Sequence, residues 1–123
     1  AFRTPIASAG AAIIRTRDTR DSSTYLYTLL VPSDANLLFP SFDQPDLKAR
    51  VRLSLTTPRS WTALANGAAI RRDTSGASVT HRFAETKPLS SYLIAFAAGP
   101  WAVHTRRDAL RTGGPAVPMS LYV

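Results

Sequence analysis

Residues 50–57, RVRLSLTT, alternate polar and apolar side chains without a break. Val51, Leu53 and Leu55 fall on one side and Arg50, Arg52 and Ser54 on the other, the period of a strand with one dry and one wet face. Nowhere does an apolar rhythm of about 3.6 residues run for three turns. Period-two stretches recur instead between clusters of turn-forming residues, so the expected fold class is all-β. The expected architecture is an antiparallel β-sandwich or a saddle-shaped pair of sheets, with at most a short helical turn near residues 33–38.

Other strands are expected at Ala11 to Arg15, at Thr24 to Val31 (TYLYTLLV) and at Trp61 to Asn66. The pair Asn66-Gly67 favours the positive φ angles of a tight hairpin turn. Ile70 to Arg72 and Ser78 to Phe83 flank DTSG, a second hairpin bending at Gly76. Leu89 to Ala98, LSSYLIAFAA, is the most apolar segment and reads as a central strand covered on both faces. Within SDANLL, residues 33–38, Ser33 or Asp34 is expected to cap the helical turn. From His104 to Pro118 charges, glycines and prolines point to loop, with a last strand at Met119 to Val123.

The 123 residues suit a single β-domain, 1–123, with one core. Without cysteine there is neither a disulfide framework nor a thiolate metal site. No apolar run approaches the roughly 20 residues of a spanning helix, so no membrane segment is expected. The net charge of +7 invites a nucleic-acid reading. Yet the arginines are scattered (Arg15, Arg17, Arg20; Arg50, Arg52; Arg71, Arg72; Arg106, Arg107, Arg111), as on solvated strand faces, and no nucleic-acid partner is expected. His81 and His104 lack metal-pair spacing, and neither a nucleophile elbow nor a phosphate loop is present. No catalytic residue and no metal ligand is expected here.

The stretch FPSFDQPDLK, residues 39–48, crowds two aromatics, two prolines and two aspartates into one bend. An aspartate beside proline more often accepts backbone amides than works as an acid or base, so Asp43 is read as stiffening the corner. The aromatics Phe39, Phe42, Trp61, Tyr92, Phe96 and Trp101 could stack on a base or a sugar, but are expected in the core.

Taken together, YLYTLLVPSDANLLFPSFDQPDLKARVRLSL, WTALANG, RFAETKPLSSYLIAFAAGPW and VPMSLYV resemble the aminopeptidase N family of zinc metallopeptidases, in the N-terminal β-domain that precedes its catalytic domain. Pro40, Phe42, Asp43, Pro45, Leu47 and Lys48 match the family's corner motif, with Ser41 where a cysteine is frequent. The resemblance implies a parent that removes N-terminal residues from peptides, with zinc in its catalytic domain and no cofactor in this stretch. It implies two partners for the domain, the parent's catalytic domain and the peptide substrate.

Many members carry T-Q-x-E-P before the corner, where the Glu, sometimes with the Gln, binds the substrate's free amine. Here Leu29 and Val31 stand at those positions, and Asn36 replaces a common Arg. Losing such a charge-assisted bond commonly costs about 2–5 kcal/mol, which implies altered amine recognition. Leu29 and Val31 are the candidate substrate-cleft positions, and Pro40, Phe42, Asp43 and Pro45 the structural corner. A stand-alone immunoglobulin-like protein-binding module and a basic single-strand nucleic-acid binder remain alternative readings. An apolar final strand is expected to continue into further chain, and exposed edges offer a route to a dimer.

Overall fold

Alternation along residues 51–57 becomes alternation in burial: Val51, Leu53, Leu55 and Thr57 are half-buried, while Arg52, Ser54 and Thr56 are exposed. The computed structural model describes residues 1–109 and 114–123. In it the chain is all-β, built from open sheets. The strands are β1 (Ile6–Ala7), β2 (Ile13–Arg17), β3 (Thr24–Thr28), β4 (Ser54–Pro58), β5 (Thr62–Ala65), β6 (Ala69–Ser75), β7 (Ser78–Phe83), β8 (Phe96–Gly99), β9 (Val103–Ala109) and β10 (Ala116–Tyr122). One helical turn, α1 (Ala35–Leu38), and a 3₁₀ turn, Ser91–Leu93, interrupt them.

The first sheet runs β1-β2-β3-β8-β5, the second β4-β7-β6, and β9 with β10 forms a third by itself. Every pairing is antiparallel except β1 with β2. Phe83 of the second sheet is buried with Ala63 and Ala98 of the first, and Leu53, Leu55, Trp61 and Ala65 pack around them. The small residues of β5 and β8 leave room for the phenylalanine ring, so these sheets meet face to face. A second cluster, Ala12, Ile13, Leu30, Ala35, Leu38 and Ile94, fastens α1 to the first sheet.

The apolar run 89–98 is not one strand. Leu89 makes a single bridge with Ala49, residues 91–93 turn as 3₁₀, and only 96–99 join the first sheet, between β3 and β5. Polar capture explains the break: the Ser90 hydroxyl donates to the Pro45 carbonyl, and the Asn66 side chain donates to Leu93 O at 3.0 Å and accepts from Ala95 N at 2.7 Å.

Asn66-Gly67 makes no hairpin turn and takes no positive φ. The segment passes from β5 in one sheet to β6 in the other. Glycine is needed there for closeness, since a Cβ on Gly67 would lie 2.1 Å from the Ala84 carbonyl oxygen. The β6–β7 hairpin does bend at Gly76, at φ 55°, but its strands run to Ser75 and Ser78, leaving a two-residue turn.

The tail expected as loop is instead a hairpin, with Val103–Ala109 and Ala116–Tyr122 paired in register throughout despite Pro118; single valines, a threonine and a tyrosine among charged and small residues give too weak a strand signal to read from sequence. Phe42 lies outside the core, 84% exposed. The strand expected to reach Val31 leaves the ladder at Thr28, and Pro32 follows.

Phe83→Ala is expected to destabilise the domain by about 3–5 kcal/mol, the usual cost of emptying a buried aromatic site. The same domain's urea midpoint in Phe83→Leu, which refills much of the volume, should fall much less.

Candidate functional site

The corner begins where α1 ends. Phe39 N closes the helix on Ala35 O at 3.1 Å, and the chain then makes tight turns, with Gln44 N on Phe42 O (2.9 Å), Leu47 N on Gln44 O (3.1 Å) and Lys48 N on Asp46 O (2.9 Å). Ala49 and Leu89 exchange two backbone bonds of 3.0 Å and close the loop onto the segment before the 3₁₀ turn. Pro40 and Pro45 are exposed, and Pro45 contributes its carbonyl to Ser90.

Asp43 sits inside this turn system. Its Oδ2 accepts from Ala35 N at 2.8 Å and from Asn36 N at 3.3 Å, while Oδ1 accepts from the Ser91 hydroxyl. Asp34, at the N-cap position, makes no side-chain cap bond. The cap therefore comes from a residue beyond the helix: Asp43 satisfies the first amides, which lack intrahelical partners, and pins the helix to the 3₁₀ turn. The Ser91 hydroxyl, followed by the two amides, holds the Asp43 carboxyl below the usual carboxylate range against an opposing effect of desolvation.

Leu29 and Val31 flank Leu30, which is buried against Ala35 and Leu38. The two flanking side chains are 52% and 59% exposed. Leu29 N still bonds Ala12 O at 3.1 Å, and Asp34 N bonds Leu30 O at 3.0 Å, so this exposed pair rides on anchored backbone. Beside the corner, Phe39, Phe42, Leu47, Leu89 and Ile94 line an apolar recess of about 200 Å³. A larger groove of about 530 Å³ shares Phe39, Ala49 and Ile94 with it and continues along Val51 and Leu53 to Phe96.

Two contributors, Ser91 and Asn66, escape sequence reasoning. Ser91 lies 48 positions from Asp43, and no spacing rule links a hydroxyl to a carboxylate over that distance. The sequence points to a turn at Asn66, whereas its side-chain amide clamps residues 93–95.

His81 is buried, with Nε2 3.2 Å from the Thr57 hydroxyl, and His104 is exposed on β9. Burial, then the nearby Arg72 guanidinium, pushes the His81 pKa below 6.5. Among the described residues there is no group of three His, Cys, Asp or Glu side chains that could hold a metal. No described helix is long and apolar enough to cross a membrane. Several arginines pair with acids on the surface: Arg20 with Asp18, Arg52 with Glu85, Arg71 and Arg82 with Asp73, and Arg106 with Asp108. Arg111 lies outside the described residues.

Both Asp43 and His81 have folded pKa values lowered relative to the unfolded chain, so each contributes stability above its unfolded pKa and loses it as pH falls through the folded value. For His81 the loss begins below about 6.5, and for Asp43 only below about 3.8. Thermal midpoints measured across mildly acid pH should therefore decline in the wild type and flatten in His81→Gln. Asp43→Asn should lower the midpoint at neutral pH and converge with the wild type in strong acid.

Residues 1–93 match the family described as the Peptidase M1 N-terminal domain. Over 115 residues, 94% of the chain, the sequence is 31% identical to an aminopeptidase N of Streptomyces lividans, of which it spans 13%. It is 32% identical over 93 residues to the glutamyl aminopeptidase of Homo sapiens, covering 75% of this chain and 9% of that protein. A probable M1 family aminopeptidase of Encephalitozoon cuniculi shares 43% over 70 residues, 55% of this chain and 8% of its own length.

Proposed function

Because the chain belongs to the Peptidase M1 N-terminal domain family, we propose that it is the non-catalytic β-domain of a larger zinc aminopeptidase and forms part of the wall of its substrate cleft. Hydrolytic zinc needs about three protein ligands and an open position. In this reading the zinc belongs to the catalytic domain of the larger aminopeptidase, and this domain contributes no step of the hydrolysis. The chain's own part is to position a surface against the N-terminal end of a peptide.

The observation that carries this reading is the exposure of Leu29 and Val31 on either side of buried Leu30. These are the positions at which the family resemblance places an amine-binding Gln and Glu. Apolar side chains there give a substrate ammonium no partner, so the wall selects by contact with aliphatic surface and leaves the charge to groups elsewhere. Asp43 serves this wall indirectly, because it fixes α1, and α1 holds Leu30 in place. Phe42, Leu47 and the recess beside them extend the apolar surface along the corner.

In the full-length protein, Val31→Glu is expected to lower KM for aminoacyl substrates by roughly tenfold to a hundredfold, the scale of one charge-assisted hydrogen bond. Val31→Gln should do much less. An unchanged KM in Val31→Glu would remove this position from the cleft.

A further inference from the structure

On the outer face of the second sheet charges are matched, since Arg71 and Arg82 share the Asp73 carboxylate at 2.6 and 3.2 Å. The inner face is different. It carries Val79 and Phe83 into the core and sets Arg72 of β6 directly across from His81 of β7. Residues so opposed in an antiparallel pair hold their Cβ atoms about 5 Å apart, which places a guanidinium beside a buried imidazole. One Arg72 nitrogen donates to the Arg59 carbonyl at 2.9 Å, and among the described residues Arg72 makes no ion pair.

The surroundings of His81 nevertheless suit a charged ring. Its Nε2 lies 3.2 Å from the Thr57 oxygen, and the Thr57 hydroxyl donates its own proton to the Pro58 carbonyl, so that oxygen is left to accept. A hydrogen bond to the Trp61 backbone favours protonation too, whereas burial first and Arg72 second oppose it. The other side chains facing His81 carry no negative charge: Leu55 and Thr57 from β4, Thr62 and Ala63 from β5, and Tyr122 from β10. What the site lacks is a counter-charge.

Room for one lies alongside. β5 and β6 are the outer strands of their sheets, and between them, with Tyr122 in its lining, a cleft of about 520 Å³ reaches Arg72 and His81. We propose that this cleft binds the phosphate group of a small ligand on the Arg72 guanidinium, and that binding charges His81. The charge count selects the ligand. Arg72 and a protonated His81 offer two positive charges, which a phosphate dianion balances and a single carboxylate does not, and the guanidinium fork matches its oxygens bidentately. Arg71 also lines the cleft, but its charge is committed to Asp73. The volume falls in the range of small-molecule sites, leaving space for an organic group against Ala63 and Ala69 beside the phosphate.

Calorimetric titration of the full-length protein with sulfate tests the site, because sulfate stays a dianion near neutral pH and any proton taken up belongs to the protein. Titrations in two buffers of different ionisation enthalpy count that proton. Affinity should rise by up to about tenfold per pH unit between about pH 8 and pH 6, the linkage of one proton. Arg72→Gln, at an exposed position, should weaken binding about tenfold or more, and His81→Gln should abolish the proton uptake. Tighter binding of phenyl phosphate than of orthophosphate assigns the site to a phosphate ester, and the reverse order assigns it to the free ion. Absence of saturable sulfate binding overturns the site, as does binding that survives Arg72→Gln or is matched by chloride at equal ionic strength. Wild-type binding without proton uptake overturns the coupling to His81, so that point is decided even if His81→Gln misfolds. Leu29 and Val31 take no part in this cleft, and the outcome is independent of the Val31→Glu measurement.

Discussion

The Asp43 carboxylate joins three stretches of chain that nothing else ties so directly: the start of α1, the corner and the 3₁₀ turn at Ser91. A four-residue helix has too few internal bonds to persist alone, because nucleation fixes several residues for each bond gained. Here an acceptor from outside the helix satisfies its first amides, while Ala35 and Leu38 are buried beneath it. The prolines limit the conformations open to the corner before folding, so less entropy is lost in placing Asp43. Leu30 then packs on the fixed helix, and its two neighbours, just past the end of β3, are left exposed.

Legibility in the sequence follows the range of each interaction. The burial of the run from Val51 to Thr57 reads correctly, every second residue being half-buried, although only Ser54–Pro58 pairs as a strand and residues 51–53 lead into it. The β6–β7 hairpin reads correctly because its turn is local and glycine suits the positive φ at position 76. The apolar stretch 89–98 misleads, since hydrophobicity reports burial but not direction. Its course is set by hydrogen bonds to Pro45, Asn66 and, through Ser91, Asp43, all distant in sequence. Gly67 misleads similarly: a glycine required by the nearness of Ala84 looks the same in one sequence as a glycine required by a turn. The corner residues stand out as a group in the sequence, whereas the amides that Asp43 accepts from depend on α1 lying beside the corner.

The two larger sheets meet through one buried aromatic, Phe83, set against the small side chains Ala63 and Ala98. Phe83, Leu30 and Val79 are the most deeply buried large side chains among the described residues, and alanines at 12, 35, 63 and 98 fill in around the branched residues. Against this, Phe42, Leu29, Val31, Leu121 and Val123 remain open to solvent. Scattered exposed apolar residues are ordinary, but these fall into two runs, one from the exit of β3 through the corner and one along β10. Surface of this kind is stabilising only once covered, which suits a domain whose relatives are many times longer than itself.

These two runs are linked by β3. Near its start Tyr25 stacks on Trp101, which leads into the hairpin, and just past its end lie Leu29 and Val31. Its centre is held on both sides, by β2 through Ile13 to Arg17 and by β8 through Ala97 and Ala98. A strand paired along both edges moves as a unit with its sheet, so the segment just past Thr28 cannot shift against Trp101 without breaking those ladders. β3 thus fixes the spacing between the Tyr25–Trp101 contact near its start and the exposed Leu29 and Val31 just past its end.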